Sequence, residues 1–188
     1  MRVTVAVMGQ TNVGKTCFIS YYEHRCFVGD YDPSVGNCYR KVNTVGQHKV
    51  IVELLEIFAY PEYARLVEQW IRDCEGFILA FSITNRDSFL GLPGLVELIS
   101  KYKEQKTPLI VLATQCDIEE ARAITVQEGF EFAASLEVPY FEASSKYAVN
   151  VDEVVETVVG EVLMWLEHSM SPNTRSCSRQ KGKECVIC

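Results

Sequence analysis

Strand-like and helix-like segments alternate along most of this chain, and the alternation restricts the fold more than any other feature of the sequence. Short β-branched apolar runs such as Val3–Met8 recur between segments with helical periodicity. Regular alternation of this kind predicts a parallel sheet with helices on both faces. The predicted strands are Val3–Met8, Tyr39–Val45, Lys49–Ile57, Phe77–Phe81, Leu109–Thr114 and Tyr140–Glu142, and the predicted helices are Lys15 to about Glu23, Ala64–Asp73, Asp87–Tyr102, Thr125–Leu136 and Val151–Glu167.

One pair of strands departs from this pattern. Tyr39–Val45 and Lys49–Ile57 are separated only by Gly46-Gln47-His48, a sequence typical of a hairpin turn, so we expect these two strands to pair antiparallel. The predicted fold is therefore α/β, with a mostly parallel six-stranded sheet, one antiparallel strand and helices on both faces. At the start of the last helix, Asn150 and Glu153 have the spacing of a capping box.

The length of the chain suits one domain with a short appendage. Its 188 residues compare with roughly 150 per domain, and a 48% share of hydrophobic residues supports a folded core. We assign residues 1–168 to the domain and residues 169–188 to a disordered basic tail. No apolar run reaches the ~18 residues of a membrane span, and Val3–Met8 is too short for a signal-peptide core, so we expect a cytosolic protein.

Charge is divided unevenly between these two parts. The net charge is −7, of which the tail contributes +3 and residues 1–168 contribute −10. An acidic body argues against nucleic acid as a partner, whereas a cationic tail suits an anionic membrane surface. In a reducing compartment, the eight cysteines are expected to be buried, reactive or attachment residues rather than members of disulfides.

A glycine loop between the first predicted strand and the first predicted helix satisfies the phosphate-binding pattern G-x-x-x-x-G-K-[ST]. Phosphate oxygens need converging donors, which backbone N–H groups and the positive end of a helix supply. Lys15 would neutralise the terminal phosphates, and Thr16 would place a hydroxyl oxygen on Mg²⁺. The candidate residues of this loop are Gly9, Asn12, Val13, Gly14, Lys15, Thr16 and Cys17.

Three further motifs follow along the chain. Phe27–Ser34 precedes the hairpin, Thr114-Gln115-Cys116-Asp117 follows a predicted strand, and Glu142-Ala143-Ser144-Ser145-Lys146 precedes the last helix. With the glycine loop, these segments resemble the nucleotide-binding motifs of the Ras-type small GTPases, and the resemblance runs from Val3 to about Glu167. It implies a P-loop NTPase (small G-protein) fold that binds GTP and GDP with Mg²⁺.

The resemblance assigns roles to the first of these motifs, which is similar to the family's first switch. Phe27 is implied to pack against the guanine ring, and the backbone of Val28 and Gly29 to lie near the ribose. Ser34 stands where the family has a Thr that reaches Mg²⁺ when the γ-phosphate is present, and Ser keeps the required hydroxyl.

The other two motifs correspond to the family's base-binding segments. Asp117 matches the carboxylate that pairs with two N–H donors of guanine, a charge-assisted contact that adenine cannot make. Thr114 replaces an Asn, and Gln115 replaces a Lys whose stem covers the base, so we expect weakened affinity. Ser144, Ser145 and Lys146 match the loop whose backbone reads the guanine carbonyl.

The second switch departs from the family pattern D-T-A-G-Q-E-E-Y. Glu56 replaces the Asp that holds Mg²⁺ through a water, and its extra methylene disturbs a strict octahedron. Ala59 replaces a Gly whose N–H approaches the γ-phosphate, and Tyr60 replaces the Gln that orients the attacking water. A phenol lacks the paired donor and acceptor of a carboxamide. We therefore predict very slow hydrolysis of GTP.

The last four residues, Cys185-Val186-Ile187-Cys188, fit the C-a-a-X pattern for prenylation of Cys185. Cys188 is not a usual final residue, so the choice between farnesyl and geranylgeranyl stays open. One lipid gives marginal anchoring, which the basic tail and palmitoylation of Cys177 could supplement. A C-x-x-C redox or metal pair is the less favoured interpretation.

Two functions remain open from the sequence. The first is a monomeric, membrane-tethered GTP/GDP switch that contacts effector and exchange-factor proteins through its two switches, at the cytoplasmic face of a membrane or in the cytosol if unlipidated. The second is a pseudo-GTPase that holds nucleotide without hydrolysing it. Adenine-nucleotide or kinase activity is disfavoured by Asp117 and Lys146.

Overall fold

Six strands form one sheet in the computed structural model, which describes residues 1–27, 38–58, 63–103 and 106–170. The strands are ordered β2-β3-β1-β4-β5-β6. Among these strands, β2 and β3 pair antiparallel and the other neighbours pair parallel, which confirms the predicted fold class. The strands are β1 (Arg2–Met8), β2 (Cys38–Val45), β3 (His48–Ile57), β4 (Gly76–Ser82), β5 (Leu109–Thr114) and β6 (Tyr140–Ala143).

Helices cover both faces of the sheet. Successive residues of β1 point to opposite faces and pack against different helices. Val5 and Val7 belong to a buried cluster with residues of α1 and α6, whereas Ala6 and Met8 belong to a second cluster with residues of α2, α4 and α5. The helices are α1 (Lys15–His24), α2 (Ala64–Asp73), α3 (Arg86–Leu90), α4 (Leu92–Tyr102), α5 (Val126–Ser135) and α6 (Val151–Met170).

The single helix predicted at Asp87–Tyr102 is wrong, because the structure has two helices that meet at Gly91. Pro93 lies in the first turn of α4, where a residue without an N–H group is tolerated and where a continuous helix would lose a hydrogen bond. The side chain of Asn85 caps α3 by accepting from the N–H groups of Asp87 and Ser88.

The last helix begins at Val151 as predicted, but Asn150 does not have the extended backbone of a capping-box residue. Its φ is +57°, and its side-chain amide donates to the carbonyl of Glu142 at 2.7 Å. Asn150 therefore ties the loop before α6 back to β6. A capping box is present instead at α5, between Thr125 and Glu128.

None of the helices in the described ranges combines the length and apolar character of a membrane span. The same ranges contain five cysteines, and none of them forms a disulfide there: Cys17, Cys26, Cys38, Cys74 and Cys116. The hairpin between β2 and β3 is a two-residue turn in which Gly46 has a φ of +61°, a backbone conformation that favours glycine.

Two glycines should respond in opposite directions to the same substitution. A Cβ at Gly76 of β4 would lie 2.8 Å from Val162 and 3.2 Å from Val158, whereas a Cβ at Gly94 of α4 would meet no atom within 4 Å. We expect Gly76→Ala to lower the free energy of unfolding by about 1–3 kcal/mol through overpacking. Gly94→Ala should raise it by about 0.5–1 kcal/mol through helix propensity. Urea denaturation measures both, and equal shifts would contradict this account of the β4–α6 contact.

Candidate functional site

The glycine loop runs from the end of β1 to the first residue of α1 and passes close to the backbone of β4. A Cβ at Gly9 would lie 2.2 Å from the carbonyl oxygen of Ala80, so only glycine allows this path. Asn12 and Gly14 adopt left-handed backbone conformations, with φ of 62° and 86°. Gly14 is the N-cap of α1, so the unpaired N–H groups of the first helical turn face the loop.

Lys15 is almost completely buried, with 3% of its surface exposed. Its Nζ donates to the carbonyl of Gln10 at 2.7 Å and lies 4.4 Å from the centroid of the Phe58 ring. Burial lowers the pKa of the Lys15 ammonium from 10.5 to about 8, while the Glu56 carboxylate acts in the opposite direction. The loop therefore holds a desolvated ammonium group whose charge an anionic ligand would balance.

Thr16 and Glu56 lie side by side, although they are 40 residues apart in the chain. The Thr16 hydroxyl is 2.8 and 3.0 Å from the two carboxylate oxygens of Glu56. Burial raises the pKa of Glu56, against the effects of the Thr16 hydrogen bond and of Lys15. A hydroxyl and a carboxylate at this separation are a donor set that suits a hard cation such as Mg²⁺.

At the end of β5, Thr114 connects the segment Thr114–Asp117 to the glycine loop. Its hydroxyl lies within hydrogen-bond distance of the carbonyl oxygens of Val13 and Phe81, the latter at 3.0 Å. The next residue, Gln115, has a φ of +61° and accepts a hydrogen bond from Ser82. Asp117 follows on the surface, with its carboxylate exposed.

The loop after β6 lies next to this segment, since the N–H of Cys116 donates to the carbonyl of Ala143. Ser144 pairs with Val149 through two backbone hydrogen bonds, which close the loop. Ser145 is partly buried, whereas Lys146 is exposed and its Nζ lies 5.2 Å from the centroid of the Tyr147 ring.

Arg122 joins the turn that follows Asp117 to the end of β6, and it is a residue that no sequence motif indicates. Its guanidinium makes two 2.8 Å hydrogen bonds to the carboxylate of Glu142 and also binds Glu119. Burial opposes ionisation of Glu142, but hydrogen bonds from Arg122 and Tyr140 leave its pKa lowered overall. No local sequence pattern reveals this pair, because its members are 20 residues apart.

Of the remaining predicted residues, one is exposed, one is partly buried and six lie outside the described ranges. Phe27 lies beyond the end of α1 with 46% of its surface exposed, so it is available to contact a ligand. Cys17 is partly buried in the first turn of α1, and burial raises the pKa of its thiol. Outside the described residues lie Val28, Gly29, Ser34, Ala59, Tyr60 and Cys185.

Comparison with known proteins gives the family. The sequence model that describes the Ras family matches residues 4–164 of this chain. The chain belongs to the Ras family. It is 34% identical to Ras-like protein rasU of Dictyostelium discoideum over 154 residues, which cover 82% of this chain and 72% of that protein. It is 32% identical to the Ras-related proteins R-Ras of Rattus norvegicus and of Homo sapiens over 182 residues, or 96% of this chain and 84% of each relative.

Membership of the Ras family gives the chain a general function. Ras-family proteins are GTP-hydrolysing signalling switches that bind guanine nucleotide, generally with Mg²⁺, and act through effector and regulator proteins. The glycine loop of this chain lies within the matched residues, as do Thr114–Asp117 and the loop after β6.

The buried charge of Lys15 should make the nucleotide-free protein less stable than a variant without it. Between about pH 8 and 10.5 the unfolded chain holds a proton on Lys15 that the folded chain has lost, so wild-type stability rises with pH through that window. We expect Lys15→Met to be more stable by about 1–3 kcal/mol at pH 7. The advantage should shrink as pH rises towards 10.5.

Urea denaturation of nucleotide-free protein in a chelating buffer measures this difference at each pH. The exposed Lys101→Met is the control for loss of a surface ammonium, and its stability should stay within about 0.5 kcal/mol of wild type. A Lys15→Met advantage that is constant from pH 7 to 10.5 would show that burial does not perturb this lysine.

Proposed function

We propose that this chain is a membrane-tethered Ras-family switch that binds GTP and GDP and hydrolyses GTP very slowly. The observation that carries the proposal is the convergence of Lys15, Thr16 and Glu56 at one end of the glycine loop. A buried ammonium beside a hydroxyl and a carboxylate supplies one group for phosphate and two for a divalent cation. Family membership makes a guanine nucleotide with Mg²⁺ the ligand that fits this set.

In this proposal each part of the loop has one task. Backbone N–H groups from Gly9 to Cys17 hold the phosphates, and Lys15 exchanges the carbonyl of Gln10 for a phosphate oxygen. Thr16 and Ser34 would hold Mg²⁺ directly, and Glu56 would hold it through a water. Such a cation would supply positive charge beside the phosphate oxygens. Because the Glu56 carboxylate accepts directly from Thr16, it would have to give up that contact to accept from a water instead.

Recognition of guanine rests on the segments after β5 and β6. The exposed carboxylate of Asp117 is free to pair with the N–H groups of the base, and Phe27 offers an exposed ring to its face. The backbone from Ser144 to Lys146 reads the guanine carbonyl. Arg122 and Glu142 support this arrangement because their ion pair ties the chain that follows Asp117 to β6, where the second segment begins.

Slow hydrolysis follows from the residues of the second switch. Tyr60 cannot orient water as a carboxamide does, and Ala59 adds a methyl group where the γ-phosphate is approached. The ring of Phe58, immediately before them, already lies over the Lys15 ammonium. An aromatic side chain at this point favours a second switch that does not close around the phosphate in the usual way.

The alternative function is a nucleotide-holding module without hydrolysis. It is favoured by the replacements in the second switch, where Glu56, Ala59 and Tyr60 stand at positions that the resemblance assigns to the metal and to hydrolysis. Both functions require nucleotide binding, so turnover is the property that separates them.

Single-turnover hydrolysis of bound GTP tests the proposal. We expect a rate below the intrinsic rate of Ras, about 3–5 × 10⁻⁴ s⁻¹. Exchanging both altered residues, Ala59→Gly with Tyr60→Gln, should raise the rate about tenfold or more. Phe130→Gln is the control, since it replaces an exposed aromatic residue of α5, outside the second switch, by glutamine and should leave the rate unchanged.

Each outcome of that experiment has a distinct meaning. Slow conversion to GDP supports the switch, and GTP that stays intact for many hours supports the nucleotide-holding module. A wild-type rate equal to that of Ras contradicts the assigned effects of Ala59 and Tyr60. Protein that purifies without nucleotide and binds none contradicts both functions.

Membrane attachment rests on the tail, where Cys185 is the proposed prenylation site and neighbouring cations provide a second signal. In cells, Cys185→Ser should move the protein from the membrane fraction to the supernatant. Cys26→Ser, at an exposed cysteine of the domain, should leave the distribution unchanged. Lys181→Gln with Lys183→Gln should weaken membrane binding by about tenfold or more, since each cation contributes about 1 kcal/mol. Membrane association that survives Cys185→Ser would refute lipidation at this residue.

A further inference from the structure

The side chain of Gln115 is held by two hydroxyl residues at the end of β4. Its Oε1 accepts a hydrogen bond from the hydroxyl of Ser82 and lies 3.4 Å from the hydroxyl oxygen of Thr84. Ser82 is fully buried, with 1% of its surface exposed. Since Gln115 replaces the lysine of the family motif, these contacts bear on how the site manages without that charge.

The hydrogen bonds around Ser82 fix the direction of its proton. The backbone N–H of Thr84 donates to the Ser82 hydroxyl at 3.2 Å, and the hydroxyl oxygen of Thr84 lies 2.8 Å from the same atom. With Thr84 as donor in both contacts, the Ser82 proton is directed to Gln115. The two hydroxyl groups and Oε1 of Gln115 then form one consistent network.

Fixing Oε1 also fixes the other end of the amide. The Nε2 of Gln115 lies 3.9 Å from the position of a Cβ at Gly14, so this end of the amide is close to the last glycine of the loop. The backbone of Gln115 is left-handed, with a φ of +61°, which further restricts where the side chain can point. The amide is therefore placed between the base-binding segment and the phosphate loop.

We propose that Ser82, supported by Thr84, is a positioning residue for nucleotide retention that acts through Gln115. This inference rests on the proposed binding of guanine nucleotide. A flexible glutamine loses rotamer entropy when it orders against a ligand, whereas an amide already held by Ser82 does not. The network thus gives a neutral side chain the fixed geometry that it needs to cover the nucleotide.

The release rate of a fluorescent GDP analogue tests the role of Ser82. We expect Ser82→Ala to release the analogue about fivefold faster than wild type. Ser88→Ala is the matched control, because Ser88 is equally buried and bonds the N–H of Ser82 and the carbonyl of Asn85 instead of Gln115. Its release rate should stay within about twofold of wild type, even where both variants lower thermal stability.

A double-mutant cycle with Gln115→Ala separates positioning from a general structural effect. If Ser82 acts through Gln115, Ser82→Ala should change the release rate less than about twofold in the Gln115→Ala background. Equal acceleration in both backgrounds, or faster release from Ser88→Ala, overturns the proposal. Unchanged release from Ser82→Ala overturns it as well. Wild-type protein that binds no GDP analogue contradicts the proposed function and this inference together, whereas the other outcomes leave nucleotide binding intact.

Discussion

The position of the glycine loop depends on one close approach between two backbones, at Gly9 and Ala80. A side chain at position 9 would meet the carbonyl of β4, which no rotamer change can relieve. The loop is therefore placed by the sheet rather than by its own side chains. Since β1 lies between β3 and β4, the loop has Glu56 of β3 on one side, and the hydroxyl of Thr114 reaches it from β5 on the other.

This placement has an electrostatic cost that the free protein bears. Lys15 is taken out of water, and among the described residues a carbonyl, an aromatic face and the nearby Glu56 carboxylate compensate its charge. Groups buried in this way are typical of sites whose ligand completes the charge balance. The same loop thus carries a charge that burial destabilises and that an anionic ligand would balance.

Local patterns in the sequence predicted the strands, the glycine loop and the single antiparallel pair, because each depends on neighbouring residues. They failed where a distant or competing interaction decides the geometry. The helix breaks at Gly91 because Pro93 follows it. The apolar periodicity of this segment had indicated one continuous helix. Arg122 with Glu142, and Ser82 with Gln115, are 20 and 33 residues apart and meet only because β4, β5 and β6 are adjacent.

The replacement of lysine by glutamine at position 115 shows why such distant contacts matter. An ammonium attracts an anionic ligand from several ångströms away and in many rotamers, whereas a neutral amide acts only at hydrogen-bond distance and in the right orientation. A chain that loses the charge must therefore supply the orientation by other means. In the structure, Ser82 at the end of β4 and Thr84 just after it contact Oε1 of Gln115. Geometry fixed by neighbouring strands can in this way replace a long-range attraction, provided that the hydroxyl partners stay buried and in register.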